Sequence, residues 1–125
     1  MKSIYKYPIE INISSNSLYI QVPKGAELLS ISIETPSIAF IYCLVDPDQE
    51  EMIKREVLWL GTGWEIDQET EEKIDRYKFL GTYKIKSEKK DKSDLIWHFW
   101  IEPELMDYNG EALYNVLFPF LKDYE

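Results

Sequence analysis

A single histidine, His98, and a single cysteine, Cys43, limit the chemistry open to this chain. A Ser–His–Asp or Cys–His system needs a histidine as its base, so His98 is the sole candidate. It stands between Trp97 and Phe99 in a run whose two faces are both apolar, and no nucleophile is marked by a motif such as G-x-S-x-G. A packed, hydrogen-bonded core histidine is the expectation. Cys43 lies inside the apolar run Ile38–Val45 and is expected to be a buried, inert thiol. One cysteine also excludes an internal disulfide and a cysteine-based zinc cluster.

Acids are the abundant reactive groups. Asp46, Asp48, Glu50 and Glu51 are as dense as a calcium loop but lack its glycine and its distal glutamate, so they read as a solvated turn. No particular pair among the 23 acids is singled out for glycoside hydrolysis. Gly61-Thr62-Gly63 lacks the downstream Gly-Lys-Ser/Thr of a phosphate loop. Instead Leu60-Gly61-Thr62 recurs as Leu80-Gly81-Thr82, each copy after an aromatic residue (Trp59, Phe79), which suggests two matching strands with matching bulges. A ligand-contacting backbone over Gly61, Thr62, Gly63 and Trp64 is the alternative reading of the first copy. The lysines between Lys84 and Lys92 have interspersed acids and no aromatic partners for stacking on bases, and read as an exposed hairpin loop.

These groups must be held by strands. Tyr5, Tyr7, Ile9, Ile11 and Ile13 alternate with polar residues and Pro8, the period of a half-buried strand. Pro8 has no N–H to donate, which predicts an edge strand or a bend. Ser14–Ser17 then turns the chain into a second strand at Leu18, Ile20 and Val22, as a hairpin. Val22-Pro23-Lys24-Gly25 suits a type I turn with proline second and glycine fourth. Leu29, Ile31 and Ile33 alternate, and Ile38 to Val45, apolar on both faces, predicts a central strand covered on two sides. Further strands are expected at about 55–60, 76–85 and 94–101. In the last, Leu95, Trp97 and Phe99 point one way and Ile96, His98 and Trp100 the other, so its second face needs a cover. Helical spacing of Ala112, Leu113, Val116 and Leu117, closed by Pro119, predicts a short C-terminal helix over 111–118 to supply it.

The bulk properties agree with one domain over residues 1–125. The chain is 45% hydrophobic, enough for a core. Its longest apolar runs fall far short of the ~20 residues of a membrane helix, and its first residues lack the apolar core of a signal peptide. Cytoplasmic residence and no membrane partner are the expectations. The formal charge of −9 disfavours direct nucleic-acid binding. Six acids, Glu65, Asp67, Glu69, Glu71, Glu72 and Asp75, stand against Lys73 alone in residues 65–75, and six more stand against Lys122 alone in 101–125. Solubility explains acids in general; a negative face that docks on a basic protein is the sharper reading. No metal and no cofactor are expected.

Ile4-Tyr5-Lys6-Tyr7-Pro8-Ile9, Val22 to Ser30 (VPKGAELLS), Leu44-Val45-Asp46-Pro47, Gly61-Thr62-Gly63, Phe79-Leu80-Gly81-Thr82 and Trp97-His98-Phe99 occur in an order that resembles an uncharacterised family of short proteins encoded by bacteriophages, prophages and some bacterial genomes. The resemblance covers about residues 1–100, with 101–125 as an extension, and the stretch 64–76 is longer and more acidic than the family pattern. It implies a phage or mobile-element setting and carries over no catalytic residue. The combined expectation is a mainly β (α+β) fold, a compact antiparallel domain of about seven strands with a short C-terminal helix. The expected role is that of a non-enzymatic accessory protein binding a host or phage protein through the acidic loop 65–75. The alternative is a protein that binds or sequesters a small molecule, such as a nucleotide signal, at Gly61–Trp64. A small hydrolase built on unmarked carboxylates and a virion component are the remaining readings.

Overall fold

The computed structural model describes residues 1–85 and 94–104. Seven strands form two antiparallel sheets: β1 (Ser3–Glu10), β2 (Ser17–Pro23), β3 (Glu27–Thr35), β4 (Ile38–Val45), β5 (Met52–Gly61), β6 (Lys78–Ile85) and β7 (Leu95–Ile101). One helix, α1 (Gln68–Arg76), lies between β5 and β6. The first sheet runs β1-β4-β3 and the second β2-β5-β7-β6. Inward residues of both make one core: Ile9, Ile41 and Cys43 from the first sheet meet Val57, Trp59, Trp97 and Phe99 from the second. Among the described residues no helix is long and apolar enough to cross a membrane.

The predicted β1–β2 hairpin does not form. β1 pairs with β4 and β2 with β5, so the chain crosses from one sheet to the other between them. The crossing is fixed by side chains rather than by a tight turn. Asn12 Oδ1 accepts from the backbone N–H of Ser14 and Ser15, and the fully buried Trp59 donates its indole N–H to Asn12 O (3.1 Å) and its backbone N–H to Asn16 O (2.8 Å). Alternation alone says which residues point inward, not which strand pairs with which. Pro8 does sit on an edge strand, as its missing donor requires.

The turn after β2 is displaced by one residue from the expected one. Ala26 N–H bonds to Pro23 O, and Gly25, now at the third position, takes a positive φ of 86° that favours glycine. The strand covered on both faces is β5, not β4. In β4, Ala39, Ile41, Cys43 and Val45 are buried, but Phe40, Tyr42 and Leu44 on the other face are only half-buried. In β5 every residue from Arg55 to Leu60 is buried, because the core lies on one side and α1 on the other. The charges of Arg55 and Glu56 hid this in the sequence.

Most of the segment 65–75 is helix rather than loop, α1 beginning at Gln68. Asp67 is the N-cap of α1, its carboxylate accepting from Thr70 N–H at 2.7 Å. That bond holds its pKa below the usual carboxylate range. Glu69 and Glu71 sit in the first turn and Lys73 and Arg76 in the last, the arrangement the helix dipole favours. The predicted helix over 111–118 lies outside the described residues. Among the described residues, cover for the outer face of β5 and β7 comes from α1 and its exit, where Ile74 and Tyr77 pack with Leu58, Leu60 and Trp100.

Trp59→Phe keeps an aromatic ring in the core but removes the donor that holds the crossing. It is expected to lower stability by about 2–4 kcal/mol in urea unfolding. A loss below about 1 kcal/mol would mean that the indole bond to Asn12 does not hold the two sheets in register.

Candidate functional site

The outer face of the four-stranded sheet carries the charged and aromatic groups, and a buried carboxylate organises it. Glu56 points outward from β5 yet is 2% exposed, beneath α1. Lys73 Nζ lies 3.1 Å from its Oε1, and Tyr77 donates its hydroxyl to the same oxygen at 2.7 Å. Burial lowers the pKa of Lys73, but the hydrogen bond and charge of Glu56, then the charge of Glu69, outweigh it, and the net shift is upward. Burial, with the Glu56 hydrogen bond behind it, pushes the Tyr77 phenol far above its ordinary value.

Glu102, just past β7, reaches the same phenol: Tyr77 OH lies 3.2 Å from its Oε2. A phenol has one proton to give. With that proton on Glu56, Glu102 makes a good bond to the phenol oxygen only if it carries a proton itself. Burial first, and the nearby charge of Glu56, raise the Glu102 carboxyl above its usual range, against the lowering effect of its hydrogen bonds and Arg76. On the core side of the same strand, buried Arg55 donates Nε–H to Glu102 O (2.8 Å) and reaches Ala26 O (3.4 Å). Burial pulls the guanidinium down, and Cys43, Glu104 and Glu102 partly restore it. Glu104 in turn accepts from Gly25 N–H at 2.9 Å and 3.1 Å. Arg55 and Glu56, Tyr77 and Glu102 were missed in the sequence. The available signal was an adjacent Arg-Glu pair inside a strand, where both faces must answer a charge.

His98 is not a core residue. It projects from the outer face of β7, half-buried, with both ring nitrogens bonded: Thr62 Oγ1 is 2.6 Å from Nε2 and Thr82 Oγ1 is 2.9 Å from Nδ1. These are the threonines of the two Leu-Gly-Thr copies, on β5's exit and on β6, either side of β7. The copies share that threonine and not a bulge. Gly81 occupies a register break with φ 128°, whereas Leu60 and Gly61 pair regularly with His98 and Trp97. A hydroxyl on Nε2 resembles a nucleophile on its base, but the third member of such a triad is a carboxylate that stabilises imidazolium, and here it is a second hydroxyl. The arrangement clamps three strands together.

Gly61 to Trp64 form a turn closed by Trp64 N–H to Gly61 O (3.1 Å), with Gly63 at its third position and φ 87°. Trp64 folds its indole back over Gly61, where a Cβ would meet Nε1 at 2.6 Å. This is the close backbone approach that glycine permits, and the partner is the chain's own tryptophan. Trp64 also stands edge-on to Trp97 at 5.1 Å between ring centroids. Beside the pair lies an open cleft of about 200 Å³, lined by Ile13, Leu95 and Ile96 as well as both indoles.

The remaining candidate residues fall into one continuous strip. Glu65 leads from the turn to Asp67, and Glu69, Glu71, Glu72 and Asp75 follow on exposed positions of α1. Among them Asp67 is engaged as the cap, so its first role is structural. Residues 1–108 match the model of a family described as a domain of unknown function, DUF7352. No curated protein and no solved structure matches the chain.

Glu102 is expected to link stability to pH. Its folded-state value is raised, so the stabilisation it gives is fully present below its ordinary value and is lost as pH rises through the raised one. Glu102→Gln imitates the protonated acid and does not titrate. The variant should therefore be more stable than the parent at about pH 8 and lose that advantage towards about pH 4. A constant difference across that range in thermal melts would refute the shared-proton arrangement.

Gly61→Ala tests the turn. Gly61 has no positive φ to forbid alanine, so the new methyl should displace the exposed Trp64 ring rather than the backbone. The melting temperature should change little, while Trp emission shifts to the red and the Trp64–Trp97 NMR contact disappears. An unaltered spectrum would show that the indole does not rest on Gly61.

Proposed function

The chain belongs to the DUF7352 family, a domain of unknown function, and we propose that it is a non-enzymatic accessory protein that binds a protein partner with a basic surface through the outward face of α1. We propose a bacteriophage or prophage setting, which the family resemblance of the ordered landmarks supports, with the host cytoplasm as the compartment. One observation carries the reading. The lysine within the acidic stretch, Lys73, is turned inward to Glu56, and Arg76 lies against the Tyr77 ring at 5.9 Å and bonds to Glu72 O. The helix therefore spends its cations on its own fold, with Glu69 3.8 Å from Lys73 Nζ, and leaves Glu65, Glu71, Glu72 and Asp75 to solvent. A rigid helix docked by a buried ion pair displays those charges at fixed spacing, which favours steering of a complementary surface.

The test neutralises Glu65, Glu69, Glu71, Glu72 and Asp75 as glutamine or asparagine, with Asp67 kept to hold the cap. A second variant neutralises the exposed Glu10, Glu27, Glu34, Asp48 and Glu50 and so matches it in net charge. Protein captured from host lysate by the parent chain should be lost to the α1 variant and kept by the control. Its association rate should fall about tenfold at low salt, with the difference shrinking as salt is raised. Equal losses in both variants would overturn the proposal in favour of generic charge.

A further inference from the structure

The cleft beside Trp64 raises a question that the acidic helix does not answer. Trp97 is 2% exposed, and its indole Nε1–H has no hydrogen-bond partner among the described residues. A buried donor left unpaired is destabilising and calls for an explanation. The same ring lines a cleft whose other walls are Gly61, Thr62, Asp94 and four large apolar groups open to solvent: Ile13 is 78% exposed, Leu95 48%, Ile96 39% and Trp64 37%. Trp64 stands edge-on against the Trp97 ring and is itself exposed on a turn with two glycines. At about 200 Å³ the cleft is smaller than an ordinary small-molecule pocket and is of the size that receives one anchoring side chain. Its position adds a charge requirement. Glu65 follows Trp64 directly in the chain and the cap of α1 is three residues on, so the acidic stretch begins next to a residue that lines the cleft.

We propose that the cleft takes one large apolar side chain from a basic peptide segment, that Trp64 swings aside to let a backbone carbonyl of that segment accept from Trp97 Nε1–H, and that the flanking lysines or arginines lie along α1. This rests on the acidic-face reading and gives that partner a chemistry: a ring or branched aliphatic anchor next to cations. An apolar anchor in a desolvated pocket supplies the strength that exposed charge pairs lack.

The test uses three capped peptides against the full chain labelled with ¹⁵N at tryptophan: acetyl-Phe-amide, acetyl-Phe-Lys-Lys-Lys-amide and acetyl-Ala-Lys-Lys-Lys-amide. Both phenylalanine probes should shift the Trp64 and Trp97 indole N–H signals, with Trp97 moving downfield as it gains an acceptor. The lysine-extended one should bind about tenfold tighter than the neutral one at low salt. Ile13→Asp, an exposed loop change that the fold tolerates, should abolish binding of the neutral probe. A Trp97 signal unmoved by either phenylalanine probe overturns the proposal. Equal binding of the alanine and phenylalanine peptides overturns the anchor while leaving the acidic face intact. Binding of the neutral probe with no gain from lysines supports the anchor and overturns the basic partner, and with it the acidic-face reading.

Discussion

A carboxylate buried on a sheet face must find a cation and a donor, and Glu56 finds both in the segment that covers it. Leaving it unpaired would cost several kcal/mol, so Lys73 and Tyr77 are held to one geometry. That geometry fixes the rotation of α1 about its axis. With Lys73 and Ile74 inward, Glu71, Glu72 and Asp75 are outward, without any apolar stripe strong enough to orient the helix alone. Tyr77 ends the helix, its N–H bonding to Lys73 O, and hands the chain to β6. The position of β6 beside β7 then allows Thr82 to reach His98. A charge that would ordinarily count against a central strand is what registers the helix on the sheet.

Much of the strand content was legible because burial on one face imposes a period of two that composition cannot disguise. Ile9, Ile31, Ile41 and Trp97 all point inward as their spacing requires. Pairing was not legible, because the same alternation fits a β1–β2 hairpin and a crossing between sheets, and the choice rests on Trp59 bonding to Asn12 and Asn16 from 40-odd residues away. Helix α1 was hidden for a different reason. Its apolar contribution is little more than Ile74, so no periodic signal rises above its charges. The cap at Asp67 and the segregation of Glu69 and Glu71 from Lys73 and Arg76 were the readable marks. The candidate residues Gly61 to Asp75 were legible as a group, since they are contiguous, but their roles were not. Asp67 is a cap and Gly61 is a seat for Trp64.

The two Leu-Gly-Thr copies show how a repeat in sequence can serve one purpose in space while its parts diverge. Gly61 needs no side chain because Trp64 lies on it; Gly81 needs none because Tyr83 approaches and its φ is positive. Only the threonines act alike, each meeting one nitrogen of His98. A neutral imidazole has one donor and one acceptor, and hydroxyls answer either, so the clamp is satisfied in both tautomers. The neighbouring strands β5, β7 and β6 are thereby tied together through His98.

These three devices divide the outer face into a rigid part and a yielding part. Under α1 the polar groups are mutually satisfied, and the helix is held by an ion pair that is costly to break from one side. Around His98 the strands are tied by hydroxyls. Between the clamp and the cap of α1, the turn Gly61–Trp64 carries two glycines and one exposed indole, with Trp64 N–H bonded to Gly61 O and Thr62 N–H to Ile96 O. A surface that must recognise a partner needs both a fixed array of charges and a wall that moves at small cost. The unpaired donor of Trp97, on the core side of β7 and edge-on to the Trp64 ring, is a hydrogen bond that folding among the described residues leaves unmade. Burial elsewhere on the face has already been matched with partners, which is why specificity is expected to concentrate at the turn and electrostatic attraction along the helix.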